Sequence, residues 1–435
     1  MRKITRRQFL QTAAGAAAAL ELGRLVDWPA REASIPTARA DGWPTVSVAK
    51  GSNADSAGAI LKTALDGIGG IERFVKPGMT VAIKPNATWA YPPFTASATD
   101  PEMLRTLIQM VQQAGAKRII VMDHCSIDPG TAECLRESGI GEVLDKLKVE
   151  KVFPDRYLSP KELYTQIELP KGKAFKKIGV IKAAVEADVR INLALPKSHV
   201  VTKLTLALKH MMGFLQVPSG LHVNLEQGIA DLSTPSAMQA QLHILEALRV
   251  RLPVGATRQA GGYETDVTHP NKIKRHNEIL AGTDPVLMDS YGCVKYFLIK
   301  PKELTHVKLA ADLGLGEIDV DKATQEERLR VYTVGQIIAA PTPSPTPIRP
   351  APVVTPTSTG PMPTHTPLPT WTPVPANGAP AEPIAQRQPA NNSDVVNPGP
   401  FLSGTLIPAA AIVAGASIVA RKRLKRQDTE HPDGE

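Results

Sequence analysis

Short, continuous apolar runs alternate with stretches of helical spacing from about residue 45 to 340. Residues 45–48, 79–83, 118–122 and 191–195 read as strands. The runs at 79–83, 118–122 and 191–195 are apolar on both faces, as strands buried on both sides of a sheet are. Between the first two lies 57–74, with Ile60, Leu61, Leu65 and Ile68 at helical spacing and Gly67, Gly69 and Gly70 weakening its end. Asp100-Pro101-Glu102 combines an N-cap acid, proline at the first helical position and an acid in the first turn. Leu104, Leu107, Ile108 and Val111 form its apolar stripe, and Gly115 ends it. A helix over 101–114 between two strands is a βαβ unit, which implies a right-handed crossover and a parallel sheet.

The pattern continues with helical pieces at 131–138 and 141–147 and a strand at 149–153. A hairpin at 164–169 and 176–180 turns around Pro170-Lys171-Gly172, and a short helix follows at 181–187. The stretch 191–213 is central. Pro196 stops its strand, since proline cannot donate to a ladder. Lys197, Ser198 and His199 are expected in the turn, and Leu204, Leu206, Leu208, Met211 and Met212 on a following helix. A loop at 218–222, a helix at 225–232, a helix or helix-to-strand passage at 236–252, a polar loop at 261–277 and a helix at 286–296 come next, and 313–317 closes the domain. The expected fold is α/β, a mostly parallel sheet flanked by helices, occupying 41–340.

The two ends read differently. Arg6-Arg7, then Phe9-Leu10, an Ala-rich run and Ala38-Arg39-Ala40 fit a twin-arginine export signal over 1–40. Residues 341–400 hold 18 of the 39 prolines and only four charges. Such a segment cannot bury a core and is expected as a disordered stalk, roughly 190 Å long if fully extended at 3.1 Å per residue. Residues 401–420 are uncharged and mostly apolar, long enough for one transmembrane helix, and the basic cluster that opens the tail 421–435 is expected in the cytoplasm. A cleaved sorting tail is the rival reading. The expected location is the outer face of the cytoplasmic membrane, with 401–420 as the membrane contact.

Of the net charge of +8, the export segment carries +4 and the tail +1, which leaves +3 on 41–340 and no nucleic-acid footprint. Cys125, Cys134 and Cys293 show no C-x-x-C spacing, so neither a disulfide framework nor an iron–sulfur cluster is expected. No P-loop, G-x-G-x-x-G or G-x-S-x-G occurs.

Three strands end in polar residues: Lys84-Pro85-Asn86, Asp123-His124 and Lys197-Ser198-His199. In a parallel sheet these ends share one edge, where open α/β sheets build sites. Lys84, Asn86, Asn192 and Lys197 are the candidate substrate-binding residues for a small anion. His199 is the candidate acid/base, Asp123 its partner, and Lys209, beside the apolar stripe, a base or nucleophile that burial would make less basic. His199, His222, Asp284 and Asp289 are candidate ligands for a divalent metal, the one cofactor the residue types suggest. An exported enzyme acting on a small anion is one functional class, a surface anion-binding module the second and a degenerate structural member the third.

Val81-Ala82-Ile83-Lys84-Pro85-Asn86, Asp188-x-x-Ile191-Asn192, Pro196-Lys197-x-His199 and Leu204-Thr205-x-Ala207-Leu208-Lys209-x-x-Met212-Gly213 together resemble the domain-of-unknown-function 362 family, as do His222, Asp231-Leu232 and Gly282-Thr283-Asp284-Pro285 with Asp289. The resemblance covers roughly 45–320. It implies an uncharacterised α/β domain whose relatives often carry a Cys-rich, ferredoxin-like module and are described as iron–sulfur proteins. This chain lacks that module. It also has Ile244-Leu245-Glu246 where the family tends to Ile-x-Asp, so Glu246 is the candidate replacement.

Overall fold

The computed structural model describes residues 42–125, 130–155, 159–199, 201–252 and 272–341. The chain divides into two units, Met1–Ser344 and Pro345–Glu435. The second unit lies outside the described residues. So do the expected export segment, the stalk beyond residue 341, the span 401–420 and the tail. Among the described residues no helix is long and apolar enough to cross a membrane.

The first unit runs β1 (Val46–Lys50), α1 (Ala57–Asp66), β2 (Thr80–Lys84), α2 (Pro101–Gln113), β3 (Arg118–Met122), α3 (Thr131–Glu137), α4 (Ile140–Leu147) and β4 (Glu150–Val152). A two-stranded hairpin of β5 (Tyr164–Glu168) and β6 (Lys177–Ile181) leads through α5 (Lys182–Glu186) into β7 (Val189–Ala194). Then come β8 (Lys197–His199), β9 (Lys203–Thr205), α6 (Ala207–His210), α7 (Leu225–Leu232), β10 (Leu242–Arg251), β11 (Ile273–Gly282), α8 (Pro285–Gly292), α9 (Thr305–Asp312), α10 (Val320–Gln325) and β12 (Leu329–Thr333).

The main sheet has the order β12-β1-β11-β10-β7-β2-β3-β4. Only β11 runs against its neighbours there, pairing antiparallel with β1 and β10. The sheet is therefore mostly parallel, and helices flank it. β8 extends it through the pair Lys197↔Arg251 and folds back on β9. β7 is buried along its whole length, which explains its unbroken apolar run. One face packs Val81, Ile83, Ile191 and Ile244 against α1, α2 and α4. The other face packs Ala82, Ala194 and Leu245 against α6, α7, α8 and α9.

Local chemistry sets the element ends. Ser56 caps α1 by accepting from Ala59 N–H at 3.1 Å. Asp100 caps α2 by accepting from Glu102 N–H at 3.0 Å, with Pro101 at the first position.

Several elements differ from expectation. Lys197–His199 is a strand rather than a turn, because it pairs with both β9 and the end of β10. Leu204 belongs to β9, so the helix starts at Ala207 and tightens into a 3₁₀ turn over Met211–Phe214. The passage 236–252 resolves into strand β10, buried through most of its length, where apolar periodicity cannot separate strand from helix. The polar loop expected at 261–277 lies outside the described residues up to 271, and from 273 it is β11. The helix expected to 296 ends at Gly292 and widens into a π turn. The domain does not close at 317: α10 follows, and β12 pairs parallel to β1.

Candidate functional site

Sheet register builds the site's floor. Lys84 pairs with Asn192, and Asn192 with His243, so β2, β7 and β10 place three polar side chains in one row on one face. All three are buried. α6 supplies the residue that joins them. Lys84 Nζ donates to His210 Nε2 at 2.9 Å, and His210 Nδ1–H donates to Asn192 Oδ1 at 2.6 Å. Asn192 Nδ2 then donates to Ala207 O at 2.9 Å and to His243 Nδ1 at 3.0 Å. An ammonium has only donors, so this chain fixes the tautomer of each imidazole in turn. Burial pushes the Lys84 ammonium down, partly offset by Asp123. Burial also holds His210 well below the usual imidazole range and His243 at about 4.

Asp123, the first residue past β3, closes the chain. Its Oδ1 stands 2.8 Å from Lys84 Nζ, and both side chains are almost wholly buried. Its two oxygens also accept from His124 N–H at 2.9 Å and Ala87 N–H at 2.8 Å. Gly213 leans on the pair, where any Cβ would collide with Lys84 Cε and Asp123 Oδ1. That contact is the physical reason for glycine there.

A second layer of cations lies beside the pair. Lys197 Nζ donates to Ser97 O at 3.1 Å and reaches Asn86 Oδ1 at 3.4 Å. Arg251 donates to Ser97 Oγ at 2.7 Å. Burial first, then the charges of Arg251 and Lys209, bring Lys197 down to about 7. Burial and Lys84 bring Lys209 down to about 8 against the opposing pull of Glu226. Among the described residues Lys209 has no ion pair within salt-bridge distance. His199 Nδ1 accepts from Val201 N–H and Thr202 N–H at 3.2 Å and faces Thr202 Oγ1 at 3.1 Å. Its lone pair is therefore engaged on that side, and the proton sits on Nε2. Burial, then Lys209 and Lys197, push His199 far down, so it is a neutral donor at ordinary pH.

The predicted metal ligands are not brought together. Asp289 Oδ1 and Oδ2 accept from Ala207 N–H at 2.7 Å and Leu208 N–H at 3.1 Å, holding the start of α6. Asp284 caps α8 through Leu287 N–H at 2.9 Å, accepts from Glu317 N–H at 3.0 Å and pairs with Arg328 at 3.1 Å. Both carboxylates are consumed by backbone groups that need them. His199 and His222 are near enough for one charge to act on the other, and so are Asp284 and Asp289. Among the described residues no group of three or more His, Cys, Asp or Glu side chains is arranged to hold a metal. Glu246 likewise binds backbone: its Oε2 accepts from Asp100 N–H at 3.0 Å and steadies the cap of α2.

The site thus joins Asp123, Lys84 and Asn192 through bonds that run by way of His210, joins Lys197 to Asn86 separately, and brings these sets, Lys209 and His199 together through mutual electrostatic influence. Local sequence patterns do not single out His243, Arg251 or the pair Glu226–His306. His243 is a polar residue inside an apolar run, a usable hint once β10 is known to be a strand. Glu226 and His306 lie on different helices far apart in sequence, and no local pattern joins them.

Residues 81–294 match the model of the family described as domain of unknown function (DUF362). That span contains the Lys84, Pro196-Lys197-x-His199 and Leu208-Lys209 pieces on which the resemblance rests. The chain is 31% identical over 158 residues to the thylakoid-associated protein sll1697 of Synechocystis sp. (strain ATCC 27184 / PCC 6803 / Kazusa), covering 36% of this chain and 45% of that relative. It therefore spans less than half of the relative's length. Two solved structures are similar. The lactate racemase apoprotein from Thermoanaerobacterium thermosaccharolyticum has 14% identity and a TM-score of 0.34, covering 62% of this chain and 58% of that one. A Thermotoga maritima protein has 12% identity and a TM-score of 0.29, covering 56% of each. At those TM-scores neither likeness bears on the chemistry here.

Breaking the buried pair from one side tests the centre of the site. Lys84→Met leaves the Asp123 carboxylate buried without its cation and is expected to lower stability by about 3–5 kcal/mol in urea denaturation. The double variant Lys84→Met/Asp123→Asn is expected to recover a large part of that loss. A single variant as stable as wild type would contradict the assignment.

Proposed function

We propose that the first unit is an enzyme that binds a small anion at the carboxyl edge of its sheet, with Lys197 and Lys209 as anion ligands and Lys209 as the group that moves a proton. The observation that carries this reading is charge crowding. Lys84, Lys197 and Lys209 stand close enough for their charges to act on one another, with Asp123 acting on Lys84 and Lys197 and Glu226 on Lys209. Excess buried positive charge is costly, and an anion relieves it. His199 adds an Nε2–H donor. Asn86 positions Lys197 from the side, and Asn192 orients His210 beneath it.

A lysine at about 8 is poised for proton transfer near neutral pH, whereas an ordinary surface lysine stays charged. The bound anion would raise the basicity of the lysines it touches, so binding takes up protons. Affinity should be highest below about pH 7 and fall as pH rises through the lysine values.

We further infer that the chain is exported by the twin-arginine route and held at the membrane by 401–420. Arg6-Arg7, the Ala-rich run, Ala38-Arg39-Ala40 and the basic cluster after 420 support this. A distant relative named as thylakoid-associated is in keeping with a membrane location.

Two measurements test these readings. In calorimetric titrations of the full-length chain with inorganic phosphate, wild type should bind and weaken with rising pH. Lys209→Arg should carry binding to higher pH, and Lys197→Met should weaken it at least roughly tenfold, as loss of a charged hydrogen bond does. No binding, or binding indifferent to pH, would sink the proposal. For export, the Arg6→Lys/Arg7→Lys variant should remain inside the cell and escape protease added to intact cells. Protection of the wild type as well would refute the location.

A further inference from the structure

One buried imidazole at the margin of this site has an unfilled bond. His306 is completely buried at the start of α9. Its Nδ1 lies 2.7 Å from Glu226 Oε2, and its backbone N–H donates to the same oxygen at 3.0 Å. A carboxylate accepts only, so Nδ1 carries the proton and the Nε2 lone pair faces away from Glu226. Among the described residues Nε2 is enclosed and has no hydrogen-bond partner. Leaving a buried acceptor unmet costs roughly 1–3 kcal/mol, and such orphans require an explanation.

The position of the dyad supplies one. α9 packs on α7, which carries Glu226, and α7 packs on α6, which carries Lys209. Glu226 acts on the charge of Lys209, and His306 on that of His199. The margin therefore holds two imidazoles of opposite character. His199, with Nδ1 engaged in its turn, presents an N–H. His306, with Nδ1 held by Glu226, presents a lone pair. An oxyanion without hydrogens satisfies the lysines and His199 but leaves His306 unmet. An oxyanion that keeps an acidic O–H satisfies all of them.

We propose that His306, oriented by Glu226, is the specificity-determining acceptor of the site and selects an oxyanion bearing an O–H, the hydrogen phosphate group being the chemical class that fits. The proposal rests on the anion-binding reading above and adds the identity of the ligand's protonation state. No bond is made or broken: the ligand's O–H donates to Nε2, and its remaining oxygens accept from Lys197, Lys209 and His199.

The test compares phosphate with sulfate, two tetrahedral anions of similar size, by calorimetry on the full-length chain at mildly acidic pH, where phosphate retains hydrogens and sulfate does not. Wild type should prefer phosphate by roughly ten- to a hundredfold. His306→Leu should bring the ratio close to one while sulfate binding persists, which shows that the lysine cluster is intact. Glu226→Leu, a change on a partly exposed side chain, removes the acceptor that keeps the proton on Nδ1 and should also reduce the ratio. It decides the matter if His306→Leu does not fold. Methyl phosphate, titrated in parallel, separates a site for a monoester from one for the free ion; either result supports the proposal if it shows the same dependence on His306. Equal binding of phosphate and sulfate by wild type, or an undiminished preference in both variants, overturns this inference and leaves the anion site standing. Failure of wild type to bind either anion overturns both.

Discussion

Lys84 and Asp123 face each other at 2.8 Å with 2% and 1% of their side chains exposed. Burying two charges costs several kcal/mol each, and their attraction offsets this only when geometry is good and the remaining donors and acceptors are met. Both conditions hold here. Asp123 takes two backbone N–H groups besides the ammonium, and Lys84 gives a second proton to His210. Gly213 allows the close approach of the 3₁₀ turn after α6. Everything above the pair depends on it. If Lys84 were unpaired, burial would favour the neutral amine.

The sheet translates this pair into a site. A one-residue slip of β2 against β7 would turn Lys84 toward α1 and α2 and away from His210. The apolar packing of both faces fixes the register, so the same burial that stabilises the fold aims the polar row. Two carboxylates expected to hold a metal serve the scaffold. Asp289 holds the first two N–H groups of α6, the helix that carries Lys209 and His210, and Asp284 anchors α8 to the segment before α10. The cations are thus positioned by carboxylates that do not neutralise them.

Much of this was legible in the chain. The βαβ unit, strand β3 and the caps of α2 follow from local spacing and capping residues that act over a few positions. The strand-end residues Lys84, Asn86, Asp123 and Lys197 could be placed on one edge because a parallel sheet puts such ends together. Other features were not legible, because they depend on distant partners. Lys197–His199 becomes a strand only when Arg251 lies beside it. Asp284 and Asp289 look like ligands until the N–H groups that claim them are known. His306 and Glu226 meet only because α9 folds onto α7. His199 has the residue type of a base, yet the N–H groups of its own turn occupy the nitrogen that would accept.

The central claim is that Lys197 and Lys209, beside the Lys84–Asp123 pair, hold an anion. It is tested most directly by locating an anomalously scattering anion, selenate, in crystals of the protein. The account predicts a peak within hydrogen-bonding reach of Lys197, Lys209 and His199, lost in crystals of Lys197→Met/Lys209→Met. Selenate bound only elsewhere on the surface, or unchanged in that variant, would contradict it.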